Sequence, residues 1–252
     1  MVAAVRNKAQ AALLILCGAA LLRISVGSEL YLRYVQAGLR PYLIASGLLL
    51  TALGALSLAR GGGDDHHDEA GPSHGHSHDH DEAGHSHDHS RGPKVGLLLA
   101  VPALALLLFP PPALGSYSAN RQEAETEAQG AGTFPALPKG DPLDLTLGAF
   151  GSRAEYDTGA SLKGRTLRLT GFVTRDGATW YVTRLVVTCC AADAAARKIE
   201  IRGTEPPVAD TWVTVTGTWH PTGKPGAPDT RPVLDATEVT RAKQPSDPYE
   251  KR

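Results

Sequence analysis

The residues best suited to chemistry in this chain are histidines, and nine of the ten lie within one stretch, residues 61–94. The pattern His-x-His recurs there among aspartates, without any apolar periodicity. Neutral imidazoles and carboxylates are common ligands of Zn²⁺, Ni²⁺ and Cu²⁺. Alternate residues of an extended chain face one side, so several imidazoles can reach one ion. The candidate metal ligands are His66, His67, His74, His76, His78, His80, His85, His87, His89, Asp79, Asp81 and Asp88.

This histidine-rich segment is predicted to be a disordered loop that binds divalent metal. The predicted disorder does not prevent metal binding, because an ion can order the loop that binds it. The same flexibility limits affinity and selectivity, which favours buffering or capture of the ion over a tight structural site. A hydrophilic spacer that tolerates histidine is the alternative. The choice among metals stays open, because the ligand types suit several of them.

A second candidate site is the pair of adjacent cysteines, Cys189 and Cys190, with Asp193 close behind. Neighbouring side chains of a strand face opposite sides, so both thiols can reach one ion only at a junction such as strand to helix. Soft-metal ligation, thiol redox chemistry and a partner contact are possible functions. Packing of two small buried residues is the equally weighted alternative. The chain has no Cys-x-x-Cys pair, so a disulfide framework is not predicted.

Three apolar stretches, residues 9–26, 39–59 and 95–115, are predicted to be transmembrane helices in the lipid bilayer. A spanning helix needs about 20 apolar residues. The first stretch follows basic residues, as a signal peptide does, but it lacks a clear cleavage site and is predicted to be retained. The third contains Pro102, which membrane helices tolerate.

Basic residues near the apolar stretches predict the orientation of the chain in a bacterial cell membrane. Three spans would place the N-terminus and the histidine-rich loop on one side, and the 27–38 loop and the C-terminal region on the other. Basic residues flank the first side more densely, which predicts a cytoplasmic histidine loop and an extracytoplasmic C-terminal domain. The residues on the first side are Arg6, Lys8, Arg60, Arg91 and Lys94.

The C-terminal half is predicted to be a small all-β domain, residues 143–243. A flexible linker at 116–142 precedes it, and an extended tail at 244–252 follows. Residues 165–173 alternate polar and apolar side chains, and an Asp-Gly turn follows at Asp176. The alanine-rich segment 191–196 predicts one or two helical turns. Five strands with a short helix indicate an OB-like five-stranded barrel, with a sandwich as runner-up.

The motifs expected of an enzyme or a nucleic-acid-binding protein are missing. The sequence contains no Gly-x-Ser-x-Gly, His-Glu-x-x-His, phosphate-binding glycine loop or dinucleotide fingerprint. It also lacks a basic stripe with interleaved aromatic residues. We therefore predict that the chain is not an enzyme and binds no nucleic acid.

The chain resembles a bacterial family of small membrane proteins regarded as permease subunits, usually encoded beside a predicted multi-span permease. The resemblance rests on residues 30–35 before Pro41, on the histidine loop and on an Arg-x₄-Cys-Cys-x-x-Asp-Ala signature. The signature spans Arg184 to Ala194, and Pro248-Tyr249 follows near the end. Many relatives resemble two-span proteins. The resemblance implies a permease partner, plausibly for metal, and implies no catalytic residues.

These observations lead to three hypotheses about function. The first is an accessory subunit of a membrane permease for a divalent transition metal, with Zn²⁺ as the leading candidate and a β-domain that docks on the permease. The second is a membrane-anchored envelope module that recognises a glycan or a protein, with an incidental histidine loop. The third is thiol redox or soft-metal chemistry at Cys189 and Cys190.

Overall fold

The computed structural model describes residues 2–60, 104, 108–109, 111–121, 132–158, 160–228 and 230–251. The predicted histidine loop, and most of the third apolar stretch, therefore lie outside the described residues. The chain divides into two units. One contains Met1–Gly27 and Pro41–Pro111, and the other contains Ser28–Arg40 and Pro112–Arg252.

Two long helices, α1 (Val2–Val26) and α2 (Arg40–Arg60), account for most of the described first unit. Their segments Lys8–Val26 and Ala37–Arg60 each have a mean hydropathy of 1.9, and by length and composition they are able to cross a membrane. Both helices agree with the apolar helices predicted from the sequence, although α1 begins earlier than expected.

Small residues let α1 and α2 approach closely. Ala11 and Gly18 on α1 are buried, and so are Gly47 and Gly54 on α2, each pair seven residues apart. A Cβ atom on Gly18 would lie 2.7 Å from the carbonyl oxygen of Gly47, so only glycine fits there. Helix pairs in lipid pack through small residues in this way. Large apolar side chains of α2 point outward, namely Leu48, Leu49, Leu53, Leu56 and Leu58.

The second unit is built on a seven-stranded sheet. The strands are β1 (Leu143–Leu145), β2 (Thr166–Asp176), β3 (Thr179–Val187), β4 (Ala195–Arg202), β5 (Trp212–His220), β6 (Val233–Arg241) and β7 (Tyr249–Lys251). Their order is β1-β2-β5-β6-β4-β3-β7, and β2 also pairs with β3. The pairs β1–β2, β3–β7 and β4–β6 are parallel, and the others are antiparallel. All five strands expected from the sequence are present. The structure has two further short strands, β1 and β7, at the ends of this order.

The main core of this unit lies between the strands and one helix, α4 (Leu147–Tyr156). Thr146 caps the helix by accepting a hydrogen bond from the Ala149 amide at 3.1 Å. The buried positions Leu147, Phe150 and Ala154 follow a helical spacing toward the core. Helix α4 is not predicted from the sequence, because Gly148 and Gly151 weaken the local helix propensity. The strand residues of this core include Leu167, Leu169, Val182, Ile199, Val213, Val215 and Leu234.

Two local expectations differ from the structure, and a third is correct but incomplete. The helix predicted at 191–196 is a single 3₁₀ turn, Ala191–Asp193, because the following alanines pair with β3 as the start of β4. The segment predicted as a flexible linker begins with a short helix, α3 (Ser116–Ala119), held by hydrogen bonds from Ser116 to the Asp210 carboxylate. The extended tail is indeed extended, but it pairs with β3 as strand β7.

We expect Gly171→Ala to destabilise the β-domain. The added Cβ atom would lie 2.5 Å from the Thr183 carbonyl oxygen, and both residues are fixed in paired strands. Such overpacking lowers the free energy of unfolding by about 1–3 kcal/mol. Chemical denaturation of the detergent-solubilised chain, followed by tryptophan fluorescence, measures the change. Gly38→Ala is the matched control, since no atom lies within 4 Å of its added Cβ. Equal stability of the two variants would contradict this close approach.

Candidate functional site

The Cys-Cys segment forms a tight turn between β3 and β4 that the Asp193 carboxylate holds closed. The amides of Thr188 and Cys189 each donate to this carboxylate at 2.8 Å. The Cys190 amide lies 3.4 Å from the same group. Hydrogen bonds from the Cys189 thiol and then from the backbone lower the pKa of Asp193 to about 2. The aspartate of the signature is therefore a charged acceptor that organises the turn.

The two thiols lie side by side and are free. The Sγ atoms of Cys189 and Cys190 are 3.5 Å apart, and Cys189 is exposed. Its hydrogen bond to Asp193, followed by that to Cys190, raises the pKa of Cys189 from 9.0 to about 12. Since the thiolate is the nucleophilic form, Cys189 is a weak nucleophile at neutral pH.

The turn also brings together the three residues predicted from the sequence as a candidate soft-metal site. Ligand atoms of Cys189, Cys190 and Asp193 all lie within 4.8 Å of one another. Two sulfurs and a carboxylate suit a Zn²⁺ ion that completes its shell with water. An ion would have to displace the Cys189 proton, and both Asp193 oxygens already accept amide hydrogen bonds. The arrangement fits a metal by residue type, but its carboxylate is engaged in holding the turn.

His220, the one histidine outside the histidine-rich segment, belongs to another cluster. It ends β5, and its Nδ1 lies 2.8 Å from Asp235 while its Nε2 lies 3.3 Å from Arg202. It is not part of the thiol group among the described residues. The twelve candidate ligands of the histidine loop lie outside the described residues, so the structure brings together only the Cys-Cys-Asp candidates.

The outer edge of the Cys-Cys turn binds the segment that joins α1 to α2. Val35 forms an antiparallel bridge with Cys190. The Gln36 amide donates to the Cys189 carbonyl at 3.1 Å, and the Ala191 amide donates to the Tyr34 carbonyl at 2.7 Å. The Gln36 side-chain amide donates to the Val187 carbonyl at 2.6 Å. The signature therefore forms a docking edge for residues 28–40, a role that spacing alone could not reveal.

Tyr249, in the C-terminal tail, fastens the same segment from a second side. Its hydroxyl donates to the Arg33 carbonyl at 2.9 Å and lies 3.3 Å from the Leu114 amide, which donates to it. The ring is 5% exposed and packs in a second apolar cluster with Phe172, Leu185 and other residues. Burial raises the pKa of the Tyr249 hydroxyl, so it remains a donor at neutral pH. The tail thus clamps both the 28–40 segment and the chain near Leu114.

We expect Asp193→Asn to make Cys189 more reactive at pH 8. Removing the carboxylate charge lowers the raised thiol pKa, so a larger fraction is thiolate. The rate of iodoacetamide alkylation, followed by mass spectrometry in a Cys17→Ser, Cys190→Ala background, reports this change. Asp176→Asn, an exposed acid elsewhere, should leave the rate unchanged. Equal Cys189 alkylation rates with and without the Asp193 carboxylate would argue against its hydrogen bond to the thiol.

We also expect Tyr249→Phe to loosen the 28–40 segment. The variant keeps the buried ring but loses both hydroxyl hydrogen bonds, each worth about 1 kcal/mol. Only the bond to Arg33 holds the segment directly, so hydrogen–deuterium exchange should be about 5- to 30-fold faster at the Gln36 amide if the segment opens as one unit, the factor given by about 1–2 kcal/mol. Tyr42→Phe, at an exposed ring, is the control. Unchanged protection at Gln36 would show that the tail does not hold this segment.

Comparison with known proteins bears on the same part of the chain. No curated protein and no solved structure matches it. Residues 154–250 match a protein family described as the DUF1980 C-terminal domain. The match runs from the end of α4 into β7, and it includes the Cys-Cys turn and Tyr249. The part of the chain that carries the docking edge and its clamp is therefore similar to the DUF1980 C-terminal domain.

Proposed function

We propose that this chain is a non-enzymatic accessory subunit of a membrane permease for a divalent transition metal, with Zn²⁺ as the leading candidate. In this proposal α1 and α2 anchor the chain in a bacterial cell membrane, the histidine-rich loop captures the ion, and the β-domain docks on the permease. The observation that carries the proposal is the pairing of residues 28–40 with the Cys-Cys turn. It makes the connection between the two apolar helices part of the β-domain.

This pairing supports one topology over its alternatives. If α1 and α2 both cross the bilayer, the segment between them and the β-domain must lie on the same side. The chain must then cross once more between Arg60 and Pro111, and the apolar stretch 95–115 is suited to do so. The histidine loop would lie on the opposite side, and the distribution of basic residues favours the cytoplasm for it. The β-domain would be extracytoplasmic.

An OB-like barrel is the form that we propose for the β-domain. Five strands pair in a ring, because β2 contacts β3 and β5, β6 contacts β5 and β4, and β4 contacts β3. The parallel pair β4–β6 within an otherwise antiparallel ring supports this topology. A closed ring leaves few free strand edges, so partners would bind to its surface and loops rather than extend the sheet.

The two candidate sites have different roles in this proposal. The loop histidines supply neutral imidazoles, which bind a divalent ion reversibly and release protons as they do so. The Cys-Cys turn is engaged in docking, and its Cys189 thiol is held protonated, which supports a structural role there. Metal capture is therefore assigned to the loop in this proposal, and attachment to the turn.

Replacing the nine loop histidines with serine tests the metal role in the full-length chain. We expect the zinc that co-purifies with the chain from membranes to fall several-fold, and cellular zinc accumulation to change with it. Elemental analysis measures the first and isotope uptake the second. His220→Ser, outside the loop, should change neither. A co-purified permease should remain with both variants, since docking is assigned to the β-domain.

The same experiment separates this proposal from the envelope-module alternative. If the loop variant keeps its metal content and zinc accumulation is unchanged, the loop is incidental and the metal role is wrong. If no multi-span protein co-purifies with either variant, the permease partnership is wrong. A change of phenotype only on Cys189→Ser or Cys190→Ser would favour the thiol hypothesis instead.

A further inference from the structure

A basic cavity of about 950 Å³ lies in the β-domain, and residues 188–193 of the Cys-Cys turn are not among those that line it. Residues of α4, β1, β2, β3, β4 and β7 line it, together with the segment before β7. Five basic and three acidic side chains face it, so the lining has excess positive charge. Hydroxyl groups of Thr146, Ser152 and Thr170 are also in the lining. Apart from Tyr249, whose hydroxyl clamps residues 28–40, the residues that line the cavity have no part in the permease proposal.

The three acidic side chains of this cavity are already engaged, and that of Asp247 accepts a hydrogen bond from the Tyr249 amide at 3.4 Å. Glu250 accepts hydrogen bonds from the Leu147 and Gly148 amides at 2.9 and 3.1 Å, which places its charge at the N-terminus of α4. Asp144 forms a two-pronged ion pair with Arg168, at 2.6 and 3.0 Å.

Three arginines of the cavity, Arg153, Arg184 and Arg197, form no salt bridge among the described residues, and two of them lie opposite each other. Arg184 on β3 and Arg197 on β4 are partners in the sheet register, and both line the cavity. Like charges directly opposite each other destabilise a sheet pair. An anion placed between them would convert this repulsion into two attractive contacts.

Arg184 is held in place but incompletely satisfied. Its guanidinium stacks over the Trp212 ring, 5.1 Å from the centroid, and its Nη2 donates to the Asp247 carbonyl at 3.4 Å. Its Nε is buried and has no hydrogen-bond partner in the described part of the chain. Burial lowers the pKa of Arg184, in opposition to the nearby charges of Glu250 and Asp247. A buried donor without an acceptor is unusual and indicates a missing partner.

We infer that Arg184 and Arg197, with Lys251, form a binding site for the phosphate group of a phosphate-bearing ligand. Two planar guanidinium groups and an ammonium offer more N–H donors than the two oxygens of a carboxylate can accept. A phosphate ester presents three oxygens and a charge of about −1.5 to −2, which matches this donor set. The cavity is much larger than a bare phosphate, so the organic part of the ligand fits beside it.

Titration of the full-length chain in phosphatidylcholine nanodiscs with inorganic phosphate tests the site. We expect saturable binding by calorimetry, with a change in Trp212 emission as Arg184 engages the ion. Arg197→Gln should weaken binding about tenfold, because a charge-assisted pair is lost. Arg184→Lys keeps the charge but loses the planar fork, and should also weaken binding. Arg241→Gln, an exposed arginine on β6 that does not line the cavity, is the matched control.

A second arm separates a soluble phosphate compound from a lipid headgroup. Nanodiscs containing phosphatidylglycerol should suppress phosphate binding, in an Arg197-dependent way, if the headgroup is the occupant. Unchanged phosphate binding in these nanodiscs assigns the site to a soluble ligand. Absence of both effects in the unmodified chain overturns the inference. Equal weakening by Arg241→Gln would also overturn it, since binding would then reflect net charge alone.

Discussion

The docking edge of the second unit depends on one carboxylate, that of Asp193. Because its oxygens accept the amides that leave β3, the chain turns sharply and exposes the backbone of Cys189 and Ala191 at an edge. The segment between the two apolar helices pairs with that edge. Without the carboxylate, the three amides would have only water as a hydrogen-bond acceptor. The turn would then no longer be held closed, and the edge would not keep its conformation.

The same turn explains why two thiols can be adjacent and yet chemically quiet. A carboxylate beside Cys189 keeps its proton in place and raises its pKa to about 12, so the sulfur resists both alkylation and oxidation. Stability of the docking edge and low thiol reactivity therefore have one cause. The pair of small side chains also leaves space for the backbone of Val35 to approach.

The sequence predicts helices and strands well where a pattern repeats over many residues, and it predicts individual long-range contacts poorly. Apolar length predicts α1 and α2, and alternation predicts the strands, because both signals are repeated over many residues. Helix α4 is missed because its apolar face is short and two glycines lower its propensity. The role of the Cys-Cys turn is missed because its partner, Gln36, lies 151 residues from Val187, and no local pattern reports a backbone pairing at that distance.

The clamp at Tyr249 has a consequence for how the chain is made. Its hydroxyl bonds to Arg33, 216 positions earlier, so this contact can form only after strands β1 to β6 have been synthesised. Before that point the Arg33 carbonyl lacks this partner, although residues 34–36 can already pair with the Cys-Cys turn, which precedes β7 in the chain. The hydrogen bond from Tyr249 is thus a late step of folding, which follows assembly of the strands. A chain cut before Tyr249 would keep both apolar helices and the Cys-Cys turn but would hold residues 28–40 less firmly.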